Sequence, residues 1–277
     1  MRKTIIACLL AAAFTAVGAQ AAQSGGAYTP SVGQEGKDVI WVPTPQALVE
    51  RMLTVAKVTP EDFVVDLGSG DGRTVITAAK KFGARALGLE FNPDMVELSR
   101  RNAEKEGVSD RAQFRRADIF ATDFSRATVV TMYLLPSLNI KLRPTLLDMK
   151  PGTRVVSHAF SMDDWAPDQT ENVEGRTAYL WIVPAKVGGQ WRIDLIGANP
   201  ARYELDLTQH YQMLAGQARS GADTFPVRDG KVSGEEVSFT IGTGAAARRF
   251  TGRLSGERLE GASKGGSEAT WTGTRAK

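Results

Sequence analysis

The stretch from Phe63 to Phe82 constrains this chain more than any other. A short apolar run, Phe63-Val64-Val65-Asp66-Leu67, meets the glycine loop Gly68-Ser69-Gly70-Asp71-Gly72, and a helical pattern continues from Arg73. Strand, glycine turn and helix in that order form a crevice at the carboxyl end of a parallel strand, where a ligand can lie against bare backbone. A dinucleotide fingerprint would place a third glycine at position 73, which is Arg73 here. Asp66 and Asp71 also make the loop negative. That suits a sulfonium or ammonium group better than a pyrophosphate, which wants bare amides and positive potential.

The same alternation extends on both sides. Upstream, Thr44-Pro45 reads as a helix start, a hydroxyl cap followed by proline, with Leu48, Met52 and Val55 at helical spacing. Downstream, strands are predicted over 86–90, 113–116, 128–134 and 154–158, with a helix opened by Asn92-Pro93 and closed by Gly107 and another over 140–149. Strands and helices alternating at this spacing imply an α/β domain with a mostly parallel sheet covered on both faces.

The pattern changes after Gly188. Short alternating segments punctuated by Gly and Ser predict a small antiparallel β domain over 189–277. Within it Gly230-Lys231-Val232-Ser233-Gly234-Glu235-Glu236-Val237 matches Gly252-Arg253-Leu254-Ser255-Gly256-Glu257-Arg258-Leu259. Each copy reads as strand, Ser-Gly turn, strand, and a meander of similar hairpins is favoured over a repeat with binding meaning.

Residues 1–22 read as a secretory signal peptide: Arg2 and Lys3, an apolar core over 4–17, then Ala19-Gln20-Ala21. The expected location is therefore exported, periplasmic or extracellular; the alternative is an anchor by an uncleaved leader. No stable membrane span is expected once the leader is removed. Residues 23–37, rich in Gly, Ser and Gln, read as a mobile linker, which leaves 38–188 as the α/β domain. Of 34 basic residues two lie in the leader, so 32 face 31 acidic ones and no electrostatic case for nucleic acid remains. The single cysteine, Cys8, leaves with the leader, and the two histidines, His158 and His210, do not make a metal site.

Two further acidic residues end later strands. Glu90, in Leu89-Glu90-Phe91-Asn92-Pro93, is placed to accept both hydroxyls of a ribose. Asp118, followed by Ile119, is placed to meet an adenine amino group with Ile119 against the ring; taken alone, Asp118 reads equally well as a helix cap.

With these residues in strand order, the stretch from Val39 to Val187 resembles the class I S-adenosylmethionine-dependent methyltransferases. Val64 to Gly72 matches the first motif, Glu90 the acidic second motif and Asp118 the adenine motif. Trp41-Val42-Pro43-Thr44-Pro45, Asp66 to Arg73 and Gly88 to Pro93 are most similar to the small protein-lysine methyltransferases related to the enzyme that modifies the ATP synthase c-subunit. The resemblance implies a seven-stranded Rossmann-like sheet and S-adenosylmethionine as cofactor. Its expected contacts are Thr44, Asp66, Gly68, Ser69, Gly70, Asp71, Gly72, Glu90, Asn92, Asp118 and Ile119. Met132-Tyr133-Leu134-Leu135-Pro136-Ser137 is expected to line the acceptor channel, with Tyr133 as hydrogen-bond acceptor, channel wall or plain core residue. Thr44 reads both as a residue closing over the cofactor and as a helix cap. His158 reads as a satisfied edge residue rather than a base, and Asp163-Asp164-Trp165 as a solvated turn rather than an acceptor mouth.

The implied function is methyl transfer to an amine, with a protein lysine as acceptor. The alternatives are a small-molecule or lipid methyltransferase on the same scaffold, or an exported non-catalytic binding protein.

Overall fold

The computed structural model describes residues 28–265 and 268–276. The leader read over 1–22, with Cys8, lies outside the described residues. The first half of the chain forms a seven-stranded sheet in the order β3-β2-β1-β4-β5-β7-β6. Its strands are β1 (Phe63–Leu67), β2 (Arg85–Glu90), β3 (Ala112–Arg116), β4 (Val129–Met132), β5 (Arg154–His158), β6 (Gln169–Val173) and β7 (Arg176–Ile182). The five-stranded parallel part is followed by a hairpin, β6–β7, whose β7 runs antiparallel to β5. Buried parallel strands read as continuous apolar runs because both faces are covered. Val64 and Val65, adjacent in β1 and both fully buried, face opposite layers.

Helices α1 (Gln46–Val55), α2 (Arg73–Phe82) and α3 (Pro93–Lys105) cover one face, where Leu48, Val75 and Ala103 pack on Val64, Phe114 and Val156. Helix α4 (Pro136–Leu147) covers the other, with Leu142 and Leu146 against Val65, Val130 and Val155. Asn92 caps α3 as its sequence predicts, accepting from the amides of Asp94 (2.9 Å) and Met95 (3.4 Å). Two helix starts differ from expectation. α4 begins at Pro136 rather than near 140, because proline at the first position needs no amide donor. At α1 the cap position is Pro45 and Thr44 makes no cap bond; its hydroxyl is engaged elsewhere.

The second half is a closed antiparallel barrel of eight strands, β8 (Gly189–Ile196), β9 (Ala201–His210), β10 (Met213–Ser220), β11 (Asp223–Ser233), β12 (Glu236–Ile241), β13 (Arg248–Ser255), β14 (Arg258–Lys264) and β15 (Ala269–Arg275). Strands pair in chain order and β15 returns to β8, so no edge is left open. Trp191, Ile193, Phe239, Phe250, Leu259 and Trp271 are buried in its interior. The sequence repeat corresponds to two successive hairpins, β11–β12 and β13–β14, turning at Gly234 and Gly256, each with φ of 60°. The barrel is bonded to the sheet domain through Ala185 N–H to Gly234 O (2.8 Å) and through Gln209, whose Oε1 accepts from the amides of Val187 and Gly188.

Candidate active site

β1 lies between β2 and β4, where the strand order reverses, and the crevice opens at the carboxyl ends of these strands. The glycine loop leaving β1 is tied to β2 by the amides of Gly68 (2.8 Å) and Ser69 (3.1 Å), both donating to Leu89 O. Gly70 has φ of 54°, and a Cβ there would sit 2.6 Å from Trp41 Nε1, so the indole can close on the loop only above a glycine. The loop lines a cavity of about 270 Å³ with Asp66, Glu90, Asp118, Tyr133 and Phe160.

Of the expected cofactor contacts in the loop, Ser69 and Asp71 line this cavity with their side chains engaged or turned aside, and Gly72 does not line it. Gly72 packs into the core: a Cβ on it would meet the Phe114 ring at 2.7 Å and Ser99 at 2.9 Å. Ser69 reaches the cavity's lining, but its Oγ is buried without a partner and turned onto Gly88, 2.5 Å from where a Cβ would stand. Asp71 is held by Arg73, whose Nη2 lies 2.6 Å from Oδ2, while Arg73 Nη1 donates to Thr44 O (3.0 Å). Asp71 thus braces the loop against the α1 entry through Arg73.

The other carboxylates face the cavity. Glu90 accepts from the amides of Gly70 (3.0 Å, Oε2) and Asn92 (2.9 Å, Oε1), which fixes both oxygens at the end of β2 with a further lone pair on each. Asn92 and Ile119 also line the cavity, although the Asn92 Oδ1 serves the cap. Asp66 is buried at the end of β1 and accepts from Thr131 Oγ1 at 2.6 Å. Burial pushes its carboxyl up to about 7 against the opposing Thr131 bond, with the negative charges of Glu90 and Asp71 adding to the rise. Asp118 accepts from the Phe120 amide at Oδ1 (2.9 Å) and pairs with Lys37 at Oδ2 (2.8 Å). The Lys37 hydrogen bond and then the Phe120 amide hold it below the usual carboxylate range.

Lys37 belongs to the segment read as a mobile linker. From residue 31 on, that segment instead folds over the cavity: Gly33 N–H donates to Trp41 O and Trp41 N–H to Gln34 O, both at 2.9 Å, and residues 34–44 line the wall. Lys37 Nζ lies 5.2 Å from the Phe91 ring centre and 6.0 Å from that of Phe120, within cation–π range. No composition rule flags such a segment, because its order comes from Asp118, a residue 81 positions away.

The far end of the cavity, over β4 and β5, is aromatic and apolar. Tyr133 packs at a tilt on His158 (centroids 3.8 Å, planes 35° apart) and stacks on Phe160 (6.1 Å, planes 24° apart). His158 is 2% exposed and its Nδ1 lies 3.0 Å from Thr44 Oγ1. Burial, and then the charge of Arg176, lowers its pKa to about 4, so it stands as a neutral ring beneath Tyr133. Thr44 therefore lines the cavity but spends its hydroxyl on His158. The Asp163-Asp164-Trp165 stretch is not a solvated turn throughout, since Trp165 is fully buried against Trp181 and Tyr211. Among the described residues no cluster of His, Cys, Asp and Glu can hold a metal ion.

The donor set fits S-adenosylmethionine. Acidic groups at the ends of β1, β2 and β3 suit its ammonium, ribose hydroxyls and adenine amine.

Comparison with known proteins agrees with this geometry. Residues 66–169 match the family model described as the ANTKMT methyltransferase domain. A protein-lysine N-methyltransferase of Saccharolobus islandicus is 46% identical over 151 residues, covering 52% of this chain and 94% of the relative. The lysine N-methyltransferase of the ATP synthase c-subunit from Xenopus laevis is 37% identical, covering 46% of this chain and 56% of that protein. Among solved structures, an RNA methyltransferase of Salinibacter ruber in complex with S-adenosylhomocysteine is 54% identical, with a TM-score of 0.52 over 53% of this chain and 96% of that one.

Proposed function

Because the chain belongs to the S-adenosylmethionine-dependent protein-lysine methyltransferase family, we propose that its acceptor is the ε-amino group of a protein lysine. The observation that carries this reading is the aromatic and apolar end of the cavity, Tyr133 and Phe160 with Leu134 and Leu135, next to an acidic cofactor end. When bound, S-adenosylmethionine supplies an electrophilic methyl: the amine lone pair forms the new N–C bond as the C–S bond breaks and its electron pair leaves with sulfur.

The chain's own residues do the rest. Asp66 and Glu90 hold and orient the donor by charge-assisted hydrogen bonds. Tyr133 and Phe160 exclude water and disfavour the ammonium form of an entering lysine, so that its lone pair is free to attack. Tyr133 acts here as a wall, packed between His158 and Phe160; neutral His158 is not needed as a base.

The test is transfer of a radiolabelled methyl group into fractionated cell extract, followed by mass spectrometry. Label in protein at lysine supports the reading. Label in RNA, the substrate class of the Salinibacter ruber relative, or in a lipid or small molecule overturns it. Export by the leader over 1–22 is part of the same proposal, supported by Arg2, Lys3, the apolar core and Ala19-Gln20-Ala21. A reporter fused after residue 36 and active only in the cytoplasm would overturn it. Export also requires a route for the cofactor, which carries charge and does not cross membranes freely.

A further inference from the structure

The loop after β5 carries the last aromatic of the cavity wall, and it is gripped from two sides. From α4, Asn139 Nδ2 donates to Phe160 O (3.1 Å) and Ser161 O (3.3 Å), and Arg143 Nη1 donates to Met162 O (2.9 Å) and to Asp164. From the barrel, the β9–β10 turn inserts Tyr211. Its ring stacks on Trp165 (5.9 Å, planes 24° apart), and its hydroxyl donates to Asp164 Oδ1 (3.1 Å). Gln212, next in the turn, donates to Ala166 O (2.6 Å), and Lys231 of β11 pairs with Asp168 (2.9 Å).

The backbone at this contact is under constraint. Ala159, Asp163 and Tyr211 have φ of 64°, 59° and 52°, left-handed values that are unfavourable for residues other than glycine and persist where packing imposes them. None of these contacts reaches the glycine loop, Glu90 or Asp118. The barrel thus grips the acceptor end of the cavity and leaves the cofactor end alone.

We propose that Tyr211 is a positioning residue for methyl transfer: through its stack on Trp165 the barrel sets the loop that holds Phe160 against Tyr133. The barrel is then a component of the acceptor site, and a sheet domain without it would bind cofactor while leaving its acceptor wall unset. This rests on the methyltransferase reading of the cavity.

The experiment uses the full chain with 4-fluorophenylalanine at position 160, read by fluorine NMR, and titrates S-adenosylhomocysteine by calorimetry on the same samples. Tyr211→Ala is expected to move or split the resonance by more than its linewidth, with the dissociation constant within about twofold of the parent. Tyr211→Phe, which keeps the ring stack, is expected to restore the parent spectrum. Should Tyr211→Ala not fold, Tyr211→Leu removes the stack at similar bulk and is read in the same way. An unchanged resonance in the folded Ala or Leu variant overturns the proposal, as does cofactor affinity falling together with the spectral change. A parent protein that binds no S-adenosylhomocysteine would overturn the methyltransferase reading instead, and the fluorine spectrum would still report whether Tyr211 sets Phe160.

Discussion

Lys37 Nζ and Asp118 Oδ2 stand 2.8 Å apart across the mouth of the cavity, joining the segment before α1 to the end of β3. Oδ1 serves the Phe120 amide, and each oxygen keeps a further lone pair for a donor such as an adenine amino group. The pair therefore acts as a latch that an arriving cofactor must share or displace. Lys37→Met is expected to raise both the association and the dissociation rate of S-adenosylhomocysteine about threefold, the modest size expected of an accessible ion pair, with little change in affinity. Lys37→Arg keeps the latch and the parent rates. Stopped-flow fluorescence of Trp41, which lies on the glycine loop, checks this; unchanged rates in Lys37→Met would contradict it.

Asp66 makes binding and stability respond to pH in opposite directions. Its folded carboxyl titrates near 7, above the ordinary 3.8, because it is buried. As pH rises from 3.8 through 7, the unfolded chain has already released this proton while the folded one still holds it, so the ligand-free protein loses stability across that window. A cationic ligand favours the ionised form. Affinity for S-adenosylmethionine is therefore expected to rise by up to about tenfold per pH unit between about pH 5.5 and 7, and to level off above. Asp66→Asn removes the slope, weakens binding by about 1.5 kcal/mol or more, and raises the melting temperature of the ligand-free protein at about pH 8. Calorimetry across pH and thermal melts of the two proteins check both signs.

The parts of this fold that were legible in sequence are those fixed by local chemistry. β1, the glycine loop and α2 follow from one unbroken run, and the Asn92-Pro93 start of α3 has cap and proline in order. Glu90 and Asp118 were readable because strand order puts them at one end of one sheet. What was not legible depends on partners distant in sequence. Thr44 looks like a cap and is instead drawn to His158, 114 residues on. Asp71 lines the cavity as expected but is also paired with Arg73, and the packing of Phe114 and Ser99 against Gly72 has no local signal. The alternation over 189–277 implied antiparallel strands but not closure, since the pairing of β15 with β8 joins the two ends of the domain.

Gly70 and Gly107 separate steric need from backbone strain. Both have positive φ, 54° and 67°, but a Cβ on Gly70 meets Trp41 at 2.6 Å whereas one on Gly107 meets nothing within 4 Å. Gly107→Ala is expected to cost about 1 kcal/mol of stability and leave cofactor affinity unchanged. Gly70→Ala carries the same strain and also pushes the indole off the loop, so affinity for S-adenosylhomocysteine falls about tenfold or more. Parallel denaturant melts and calorimetry distinguish the two; equal loss of affinity in both would mean that Trp41 does not close the site.

Trp271 plays the corresponding part inside the barrel. It is 1% exposed, meets Phe239 (5.9 Å, 67°) and Phe250 (5.7 Å, 75°) edge-on, and its Nε1 donates to Ala262 O (3.0 Å) and Thr251 O (3.1 Å). Gly252 faces the ring because a Cβ there would lie 2.6 Å from it. Trp271→Ala removes a ring that no neighbour can replace and leaves a cavity, an expected loss of about 3–5 kcal/mol. Trp271→Phe keeps most of the packing, loses the indole donor, and is expected to cost less. The glycine loop and the carboxylates at the ends of β1 to β3 do not touch this core, so S-adenosylhomocysteine affinity in Trp271→Phe should match the parent while the melting temperature falls. A drop in affinity without a drop in melting temperature would place Trp271 in the cofactor site's support rather than in the barrel's.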